Sequence, residues 1–332
     1  MQRSMIVGTG SYVPARTVRN SEVGAVLGMD AEGVYRRTGI QVRRWADEDQ
    51  AASDLADQAA RRALDAAGAS PSSVDAILVS TTSGDMVFPS TACHLQRRLG
   101  AKGVAAFDVA ASCSGFLYGL SMADRLIRSG QYHRCLVVAS EIKSRFLNLQ
   151  DEATAMLFGD GAGAALVVGQ DGSVGSGRSA GILGIRLHAD GSRHGLITVP
   201  AGGSRQPADA QTIQGRLHTI HLQGGPLFRV AVKRLAAAVA EILKEFGVAV
   251  ADLDQVIFHQ ANGRLLSALG SRLGIPPEKL CSVIEQFGNT SSASLPMALD
   301  QAVRDGRVRA GNLVLLGTFG AGLTWATALM RW

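Results

Sequence analysis

The stretch VAAFDVAASCSGFLYGLSMADRLI, residues 104–127, guides the interpretation of the whole chain. Residues 104–109 are mostly apolar, as in a buried strand, whereas from Phe116 to Ile127 apolar side chains recur every three or four residues, as in a helix. Small residues join the two parts, which predicts a sharp turn with Cys113 at or beside the helix N-terminus. Such a position lowers the pKa of a thiol. Cys113 is therefore a candidate nucleophile; an inert buried cysteine is the alternative.

The composition indicates a protein with a large core. The chain has 332 residues, of which 46% are hydrophobic and 18% charged, enough for one large or two medium domains. The net charge of +5 comes without a run of Lys or Arg, so we expect no nucleic-acid partner but a local basic patch for an acidic one. The four cysteines lack metal-ligand and disulfide spacing, and no apolar run is typical of a signal peptide or a transmembrane helix. We therefore expect no metal, no membrane contact and a cytoplasmic location.

Apolar strands alternate with amphipathic helices, which predicts an α/β fold with a largely parallel sheet covered on both faces. The polar and basic segment 30–50 is expected to be a surface excursion. Residues 171–223 show little periodicity and are expected to be a connector of surface strands and loops.

The second half of the chain repeats the plan of the first. VDAILVS at 74–80 is echoed by LDQVIFH at 253–259, RLIRSGQYHRCLVV at 125–138 by QAVRDGRVRAGNLVLL at 301–316, and FGDGAGAALVV at 158–168 by FGAGLTWATALM at 319–330. Laying Gly130 on Gly306 places Cys113 on Asn289, and the first echo places His259 at the C-terminal end of a strand. We therefore predict two halves, residues 1–170 and 171–332, that bring these three side chains together.

This set of side chains suits acyl-transfer chemistry. A thiolate at Cys113 attacks a thioester, while His259 and Asn289 donate hydrogen bonds to a carbonyl that gains negative charge. The turn at 320–322, which repeats the one at 159–161, can present backbone N–H groups to an oxyanion.

At these residues the chain resembles the β-ketoacyl-acyl-carrier-protein synthase III family of the thiolase fold. The motifs are GTGSYVP, RRTGI, DVAASCSGF, FGDGAGAA, LHADG, HQAN, FGNTSSASLPMAL and FGAGLTW, in this order over nearly the whole chain. The resemblance implies a layered αβαβα fold of two pseudo-duplicated halves. It also implies decarboxylating condensation of a starter acyl thioester with malonyl-acyl-carrier protein, without a metal or redox cofactor.

The resemblance further assigns roles to individual residues. Cys113 carries the acyl group, while His259 and Asn289 stabilise the thioester enolate formed when the malonyl group loses CO2. The backbone N–H groups of Cys113 and Ala321 form the oxyanion hole, and Phe319 lies beside the cysteine in the acyl pocket. Phe88 matches a residue that reaches across a homodimer interface into the partner's acyl pocket; an ordinary core position is the alternative.

Three basic residues are the expected contacts for an acidic acyl carrier protein. Arg229 and Lys233 lie four apart on a predicted helix and hence on one face, and Arg264 follows HQAN near the expected mouth of the site. A merely solvated face is the alternative. By resemblance, Gly224 and Asn262 contribute contacts to the carrier or its pantetheine arm.

Two positions depart from the family pattern. Gly33 and Glu152 stand where family members commonly carry the tryptophan and arginine that sandwich the adenine of coenzyme A. We therefore expect weak recognition of free coenzyme A, unless Tyr35, Arg36 or Trp45 stacks on the adenine instead.

Three other functions fit parts of the pattern. The order Cys, His, Asn also occurs in papain-like thiol hydrolases, but the motif C-G-S-C-[WY] is missing and the duplication stays unexplained. A catalytically idle thiolase-fold scaffold conflicts with the three reactive residues. The strongest alternative is a thiolase-fold acyltransferase that passes the acyl group to an alcohol or amine. The sequence leaves the starter length and the pathway open.

Overall fold

The computed structural model describes residues 3–170 and 180–332. In the first half the strands are β1 (Arg3–Tyr12), β2 (Arg16–Arg19), β3 (Val42–Trp45), β4 (Ala76–Ser80), β5 (Ala105–Val109), β6 (Arg134–Glu141) and β7 (Gly161–Gln170). The helices there are α1 (Asn20–Leu27), α2 (Ala31–Thr38), α3 (Ala52–Ala66), α4 (Thr91–Leu99), α5 (Gly115–Arg128) and α6 (Glu152–Ala155).

The second half is built in the same way. Its strands are β8 (Gly181–Ala189), β9 (Ile197–Thr198), β10 (His221–Leu222), β11 (Gln255–Phe258), β12 (Leu280–Cys281), β13 (Leu313–Gly320) and β14 (Thr324–Arg331). Its helices are α7 (Ala210–Gln214), α8 (Gly224–Phe246), α9 (Gly263–Leu273), α10 (Ile284–Phe287) and α11 (Ser294–Arg304). Within the described residues, no helix combines the length and apolarity needed to cross a bilayer.

Two five-stranded sheets have the same strand order, which confirms the pseudo-duplication. The orders are β1-β7-β6-β4-β5 and β8-β14-β13-β11-β12. In each sheet two strand pairs are parallel and two are antiparallel. The prediction of a largely parallel sheet is therefore wrong. In the second sheet the reason is visible in the short turn between β13 and β14, since such a turn joins only antiparallel strands.

Alternating side chains produce the αβαβα layering. On β4, Ala76 and Leu78 face the central layer, whereas Ile77 and Val79 face the outer one. Helices α5 and α11 pack between the two sheets, α3 and α4 cover the outer face of the first sheet, and α8 and α9 cover that of the second. The helices that follow Cys113 and Asn289 thus lie side by side at the centre of the molecule.

The segment 30–50 is not a surface excursion, because α2, β3 and a buried arginine lie within it. Arg43 is 0% exposed, and its Nη2 donates to Asn20 Oδ1 at 2.7 Å and to the Met156 carbonyl at 3.1 Å. Burial lowers the pKa of Arg43 to about 10, which leaves it charged at neutral pH. Counting charges misled the prediction, since a charged side chain is buried where other groups satisfy its donors.

The segment 171–223 contributes more than surface loops. Residues 171–179 lie outside the described part, but β8 is an edge strand of the second sheet and buries Ile182 and Ile185. The short pair β9–β10 and helix α7 follow it. The boundary between the halves at residue 170 stays a prediction.

Candidate active site

Cys113 lies in the turn between β5 and α5, as predicted. A 3-10 turn, Ser112–Ser114, precedes Gly115, the first residue of α5, and Ser112 has a left-handed φ of 47°. Strand β13 passes close to this turn, because a Cβ added at Gly320 would lie 2.8 Å from the Cys113 nitrogen. Only glycine fits there without displacing the nucleophile.

The second half contains a matching turn, but Asn289 is not the counterpart of Cys113. The 3-10 turn Ser291–Ala293 precedes α11, and Ser291 has a φ of 52°. Because Ser291 thus corresponds to Ser112, the counterpart of Cys113 is Ser292. The sequence alignment was anchored on the glycine after the helix, and α11 has 11 residues where α5 has 14. That difference shifted the predicted match by three residues.

Asn289 is held so that its amide donor is free for the site. Its backbone N–H donates to the Leu157 carbonyl at 2.9 Å, and its carbonyl accepts from the Gly159 N–H at 3.1 Å. Its side-chain Oδ1 accepts from the Ser291 N–H at 2.8 Å. The other end of the amide, Nδ2, is therefore the part that can serve a ligand.

His259 follows the C-terminal end of β11, as predicted, and is only 4% exposed. Ser294 Oγ accepts from the Gln260 N–H at 3.1 Å and lies 2.5 Å from His259 Nδ1. No other acceptor for the serine hydrogen is found among the described residues, so we assign that hydrogen to Nδ1 and the ring hydrogen to Nε2. Burial lowers the pKa of His259 to about 4, although the charge of Glu141 partly opposes this. At neutral pH His259 is thus an uncharged donor.

The structure overturns the expected low pKa of Cys113. Burial raises the pKa of this thiol to about 11, and a hydrogen bond with Ser291 Oγ, 3.4 Å from Sγ, only partly offsets it. The position at a helix N-terminus favours the anion, but loss of solvation outweighs that effect. At neutral pH Cys113 is therefore a thiol.

The predicted catalytic side chains line one pocket. Cys113, His259 and Asn289 line one cavity together with Phe319 and Ala321. Its remaining walls are mostly apolar and come from Leu157, Phe158, Ile197, Leu222, Leu227, Phe228, Ala231, Leu235 and Leu265. Helix α8 supplies four of these. Such walls suit an acyl chain. Within the described residues, no group of three or more His, Cys, Asp or Glu side chains is arranged so that it could hold a metal ion.

Phe88 does not line the pocket of its own chain. It is 82% exposed, next to Met86 at 53% and Val87 at 93%. The alternative of an ordinary core phenylalanine is therefore wrong, whereas its role across an interface stays a prediction.

An outer cavity forms the mouth of the pocket. The two share Leu157, Leu222, Gly224, Phe228 and Asn262. The mouth is also lined by Arg264, as predicted, and by Arg229. It is lined too by Arg37, which sequence reasoning did not single out although it lies in the quoted RRTGI motif. Lys233 lies instead in an adjacent groove with Arg193, Arg229 and Arg234.

Gly33 and Glu152, the two residues that depart from the family pattern, have different surroundings. Gly33 is buried in α2, where its N–H donates to Asp30 Oδ1 at 2.7 Å, and an added Cβ would lie 2.7 Å from the same oxygen. Glu152 lies at the mouth and forms an ion pair with Arg37. An acidic side chain thus lies at the rim, at the position of the arginine in the family pattern.

The three substitutes considered for stacking on an adenine do not line the mouth. Trp45 Nε1 donates to the Phe158 carbonyl at 3.2 Å, and Arg16 covers its ring. Tyr35 lines a different cavity, and Arg36 lies 4.0 Å from Glu32. Within the described residues, none of the three reaches the outer cavity.

Comparison with known proteins agrees with this geometry. The family described as 3-Oxoacyl-[acyl-carrier-protein (ACP)] synthase III matches residues 107–191, and its C-terminal part matches residues 243–332. A protein from Caldanaerobacter subterraneus subsp. tengcongensis named "Beta-ketoacyl-[acyl-carrier-protein] synthase III" is 44% identical over 98% of this chain and 97% of that protein. The chain belongs to the 3-oxoacyl-[acyl-carrier-protein] synthase III family.

Solved structures of synthase III proteins show the same fold. The enzyme from Aquifex aeolicus VF5 is 39% identical and aligns over 99% of this chain and 100% of its own, with a TM-score of 0.89. The priming beta-ketosynthase from the R1128 polyketide biosynthetic pathway is 35% identical over 99% of this chain and 96% of its own, also with a TM-score of 0.89. These matches confirm the thiolase-like fold and an enzyme of the acyltransferase class.

Proposed function

We propose that this enzyme condenses a starter acyl thioester with malonyl-acyl-carrier protein, with loss of CO2, to give a 3-oxoacyl-carrier protein. The named function of its synthase III relatives and the pocket that joins a cysteine to two hydrogen-bond donors both support this. The pathway is fatty-acid or specialised polyketide-type synthesis; one relative, 35% identical, is named as the priming beta-ketosynthase of a polyketide pathway.

The first half-reaction loads the enzyme. Cys113 Sγ attacks the thioester carbonyl and loses its proton, while the N–H groups of Cys113 and Ala321 hold the oxyanion. The intermediate expels the donor thiolate, which takes up a proton, and an acyl-Cys113 remains. The acyl chain lies along the apolar walls that α8 supplies.

The second half-reaction forms the carbon–carbon bond. Loss of CO2 leaves its electron pair on the malonyl α-carbon as a thioester enolate, whose oxygen accepts from His259 Nε2 and Asn289 Nδ2. The α-carbon then attacks the acyl-Cys113 carbonyl, and collapse of the adduct releases the Cys113 thiolate and the 3-oxoacyl product. No cofactor takes part in these steps.

The hydrogen bond between His259 Nδ1 and Ser294 Oγ is the observation that favours condensation over transfer of the acyl group to a hydroxyl. Transfer to an alcohol needs a general base to remove the hydroxyl proton. In the tautomer assigned above, Nδ1 accepts from Ser294 and Nε2 carries the ring hydrogen. It is therefore a donor to an enolate oxygen and not a base.

The experiment is to incubate the protein with an acyl donor and malonyl-carrier protein, and to measure CO2 and the 3-oxoacyl product. An ester or amide formed from an added alcohol or amine without CO2 release would favour the acyltransferase.

The mouth of the pocket is the proposed docking place for the carrier protein. Arg229 and Arg264 are exposed there, with Gly224 and Asn262 on the path of the pantetheine arm. Lys233 extends the basic surface into the adjacent groove. Such charges steer an acidic partner and lose effect as salt screens them.

We expect the enzyme to load better from acyl-carrier protein than from the same acyl group on coenzyme A. Gly33 offers no ring to stack on an adenine, and stacking of that kind with a cation is worth about 0.5–2 kcal/mol. Glu152 also replaces the arginine of the family pattern, and its carboxylate is paired with Arg37. The measurement is the rate of self-acylation with both donors, and the Glu152→Arg variant is expected to narrow the difference.

Removal of single positive charges on α9 provides the control for this comparison. Arg264→Ala should slow loading from the carrier protein, while Arg272→Ala, on the same helix but away from the mouth, should not. A preference for coenzyme A at micromolar concentration that is unchanged in Arg264→Ala would contradict the proposal.

We also propose a homodimer. Strand β5 is an edge of the first sheet, and an unpaired edge readily pairs with another chain. The exposed apolar side chains of Met86, Val87 and Phe88 need a cover. Light scattering at micromolar concentration is expected to give twice the chain mass, and Phe88→Glu should lower it. Val26→Glu, at another exposed apolar position, is the control, and a monomeric wild type would refute the proposal.

We place the enzyme in the cytoplasm as part of the same proposal. All four cysteines are free thiols, including the exposed Cys93, which suits a reducing compartment.

A further inference from the structure

Glu141, at the end of β6, is a buried carboxylate that the proposed chemistry does not use. Its oxygens lie 3.0 Å from Lys143 Nζ and accept from Ser83 Oγ at 2.5 Å, Thr82 N at 3.2 Å, Thr82 Oγ1 at 3.4 Å, Ser291 Oγ at 3.1 Å and Ser292 Oγ at 2.8 Å. Burial alone would raise the pKa of Glu141, but Lys143 and the hydroxyl donors outweigh it and lower the pKa. A negative charge therefore lies behind the catalytic turns.

Ser291 links this charge to the nucleophile. Its Oγ lies 3.1 Å from Glu141 Oε1 and 3.4 Å from Cys113 Sγ. A hydroxyl has one hydrogen to give, and an ionised carboxylate is a much stronger acceptor than a neutral thiol. Ser291 therefore donates to Glu141 and accepts from the Cys113 S–H. The thiol hydrogen points toward Ser291, which is 2% exposed and does not line the pocket.

Ionisation of Cys113 reverses these roles. A thiolate has no hydrogen to give and needs a donor, so Ser291 must turn its hydrogen from Glu141 to Sγ. Glu141 thus competes with the thiolate for one hydrogen and also repels its charge, whereas the Lys143 ammonium attracts it. Ser292 and Lys143 remain to hold the carboxylate when Ser291 turns away.

We propose that Glu141 is a positioning residue that, through Ser291, keeps Cys113 a hydrogen-bonded thiol in the empty pocket, and that Lys143 weakens the repulsion between Glu141 and a Cys113 thiolate. The proposal rests on the proposed role of Cys113 as nucleophile. A free thiolate in an open pocket is prone to alkylation and oxidation. A resting thiol protects the nucleophile in the empty enzyme.

Other titratable groups near Glu141 do not take this role. His259, on the pocket side, is neutral at physiological pH. Asp160 precedes Gly161, which pairs with Glu141 in the sheet, but its carboxylate accepts from Ser144 N and Oγ and from Ala46 N. Burial raises the pKa of Asp160. Lys143 is the cation that contacts Glu141 among the described residues.

The test measures alkylation of Cys113 by iodoacetamide, which requires no acyl substrate. Peptide mass spectrometry gives the rate at Cys113 between pH 6 and 9.5. Glu141→Gln keeps the shape and removes the charge, so the pKa of Cys113 should fall. Each unit of that fall raises the thiolate fraction about tenfold. We expect alkylation at pH 8 to be on the order of tenfold faster than in wild type.

The opposite substitution separates this role from a structural one. Lys143→Met leaves the negative charge without its cation, so alkylation should become slower, and the double variant should lie between the two. General loosening of the fold would shift both single variants in the same direction and would overturn the proposal, as would an unchanged or slower rate in Glu141→Gln. If Glu141→Gln does not fold, the rate in Lys143→Met decides: slower supports the proposal, and unchanged or faster overturns it. Because no acyl donor is present, failure here is distinguishable from failure of the condensation proposal.

Discussion

Replacing Cys113 with alanine is expected to abolish acyl-enzyme formation and, with it, condensation. Cys113 is the cysteine that lines the pocket and lies against Gly320, while Cys135 and Cys281 are buried in the core and Cys93 is exposed on α4. Intact-protein mass spectrometry after incubation with an acyl donor measures the result directly. Wild type should gain the mass of one acyl group per chain, and Cys113→Ala should gain none.

Cys93→Ala is the matched control for this result. It removes an exposed thiol outside the pocket and should leave self-acylation at the wild-type rate. A stable acyl adduct on another cysteine of the Cys113→Ala variant would contradict the assignment of Cys113 as the nucleophile.

Loss of either donor to the enolate is expected to affect the second half-reaction most. Removal of one such donor typically lowers the rate by roughly 10²–10³-fold. We therefore expect His259→Ala and Asn289→Ala to slow CO2 release from malonyl-carrier protein by this factor, while self-acylation changes much less. Equal losses in both half-reactions would argue against this division of labour.

The same measurement has an expected pH dependence. The pKa of His259 is about 4 in the folded protein and ordinarily near 6.5, so folding holds the ring neutral between these values. Decarboxylation should accordingly show no inflection from His259 between pH 5.5 and 7.5. The lowered pKa also means that the folded state loses stability as the pH falls from 6.5 toward 4. An inflection near pH 6.5 that disappears in His259→Ala would contradict the assigned state of the ring.

Local sequence patterns predicted the elements that carry the site, and the internal duplication together with the family motifs pointed to Cys113, His259 and Asn289, which line one pocket. Strands β4 and β11 are buried on nearly every residue and could be recognised as short apolar runs, and helix α5 could be recognised from apolar side chains that recur every three or four residues. The position of Cys113 at a strand-to-helix turn followed from the small residues between two such patterns.

Features that depend on packing across the chain could not be predicted in this way. The pKa of Cys113 depends on burial, which the strand-to-helix turn alone does not reveal. The counterpart of Cys113 was misplaced because the two central helices differ in length. Arg43 and Glu141 are charged residues whose partners lie far away in the chain, such as Met156 and Ser291. Arg43 stands in a basic segment, so its local sequence resembles that of exposed residues.

Helix α8 lines the pocket but carries none of the three proposed catalytic side chains. It supplies Leu227, Phe228, Ala231 and Leu235 to the pocket, while the proposed nucleophile and both proposed enolate donors lie on other elements. Substitutions along this one face can therefore lengthen, shorten or bend the space for the acyl chain without moving a reacting atom. A lineage that needs a different starter can diversify by changing this helix, and a protein engineer has the same route.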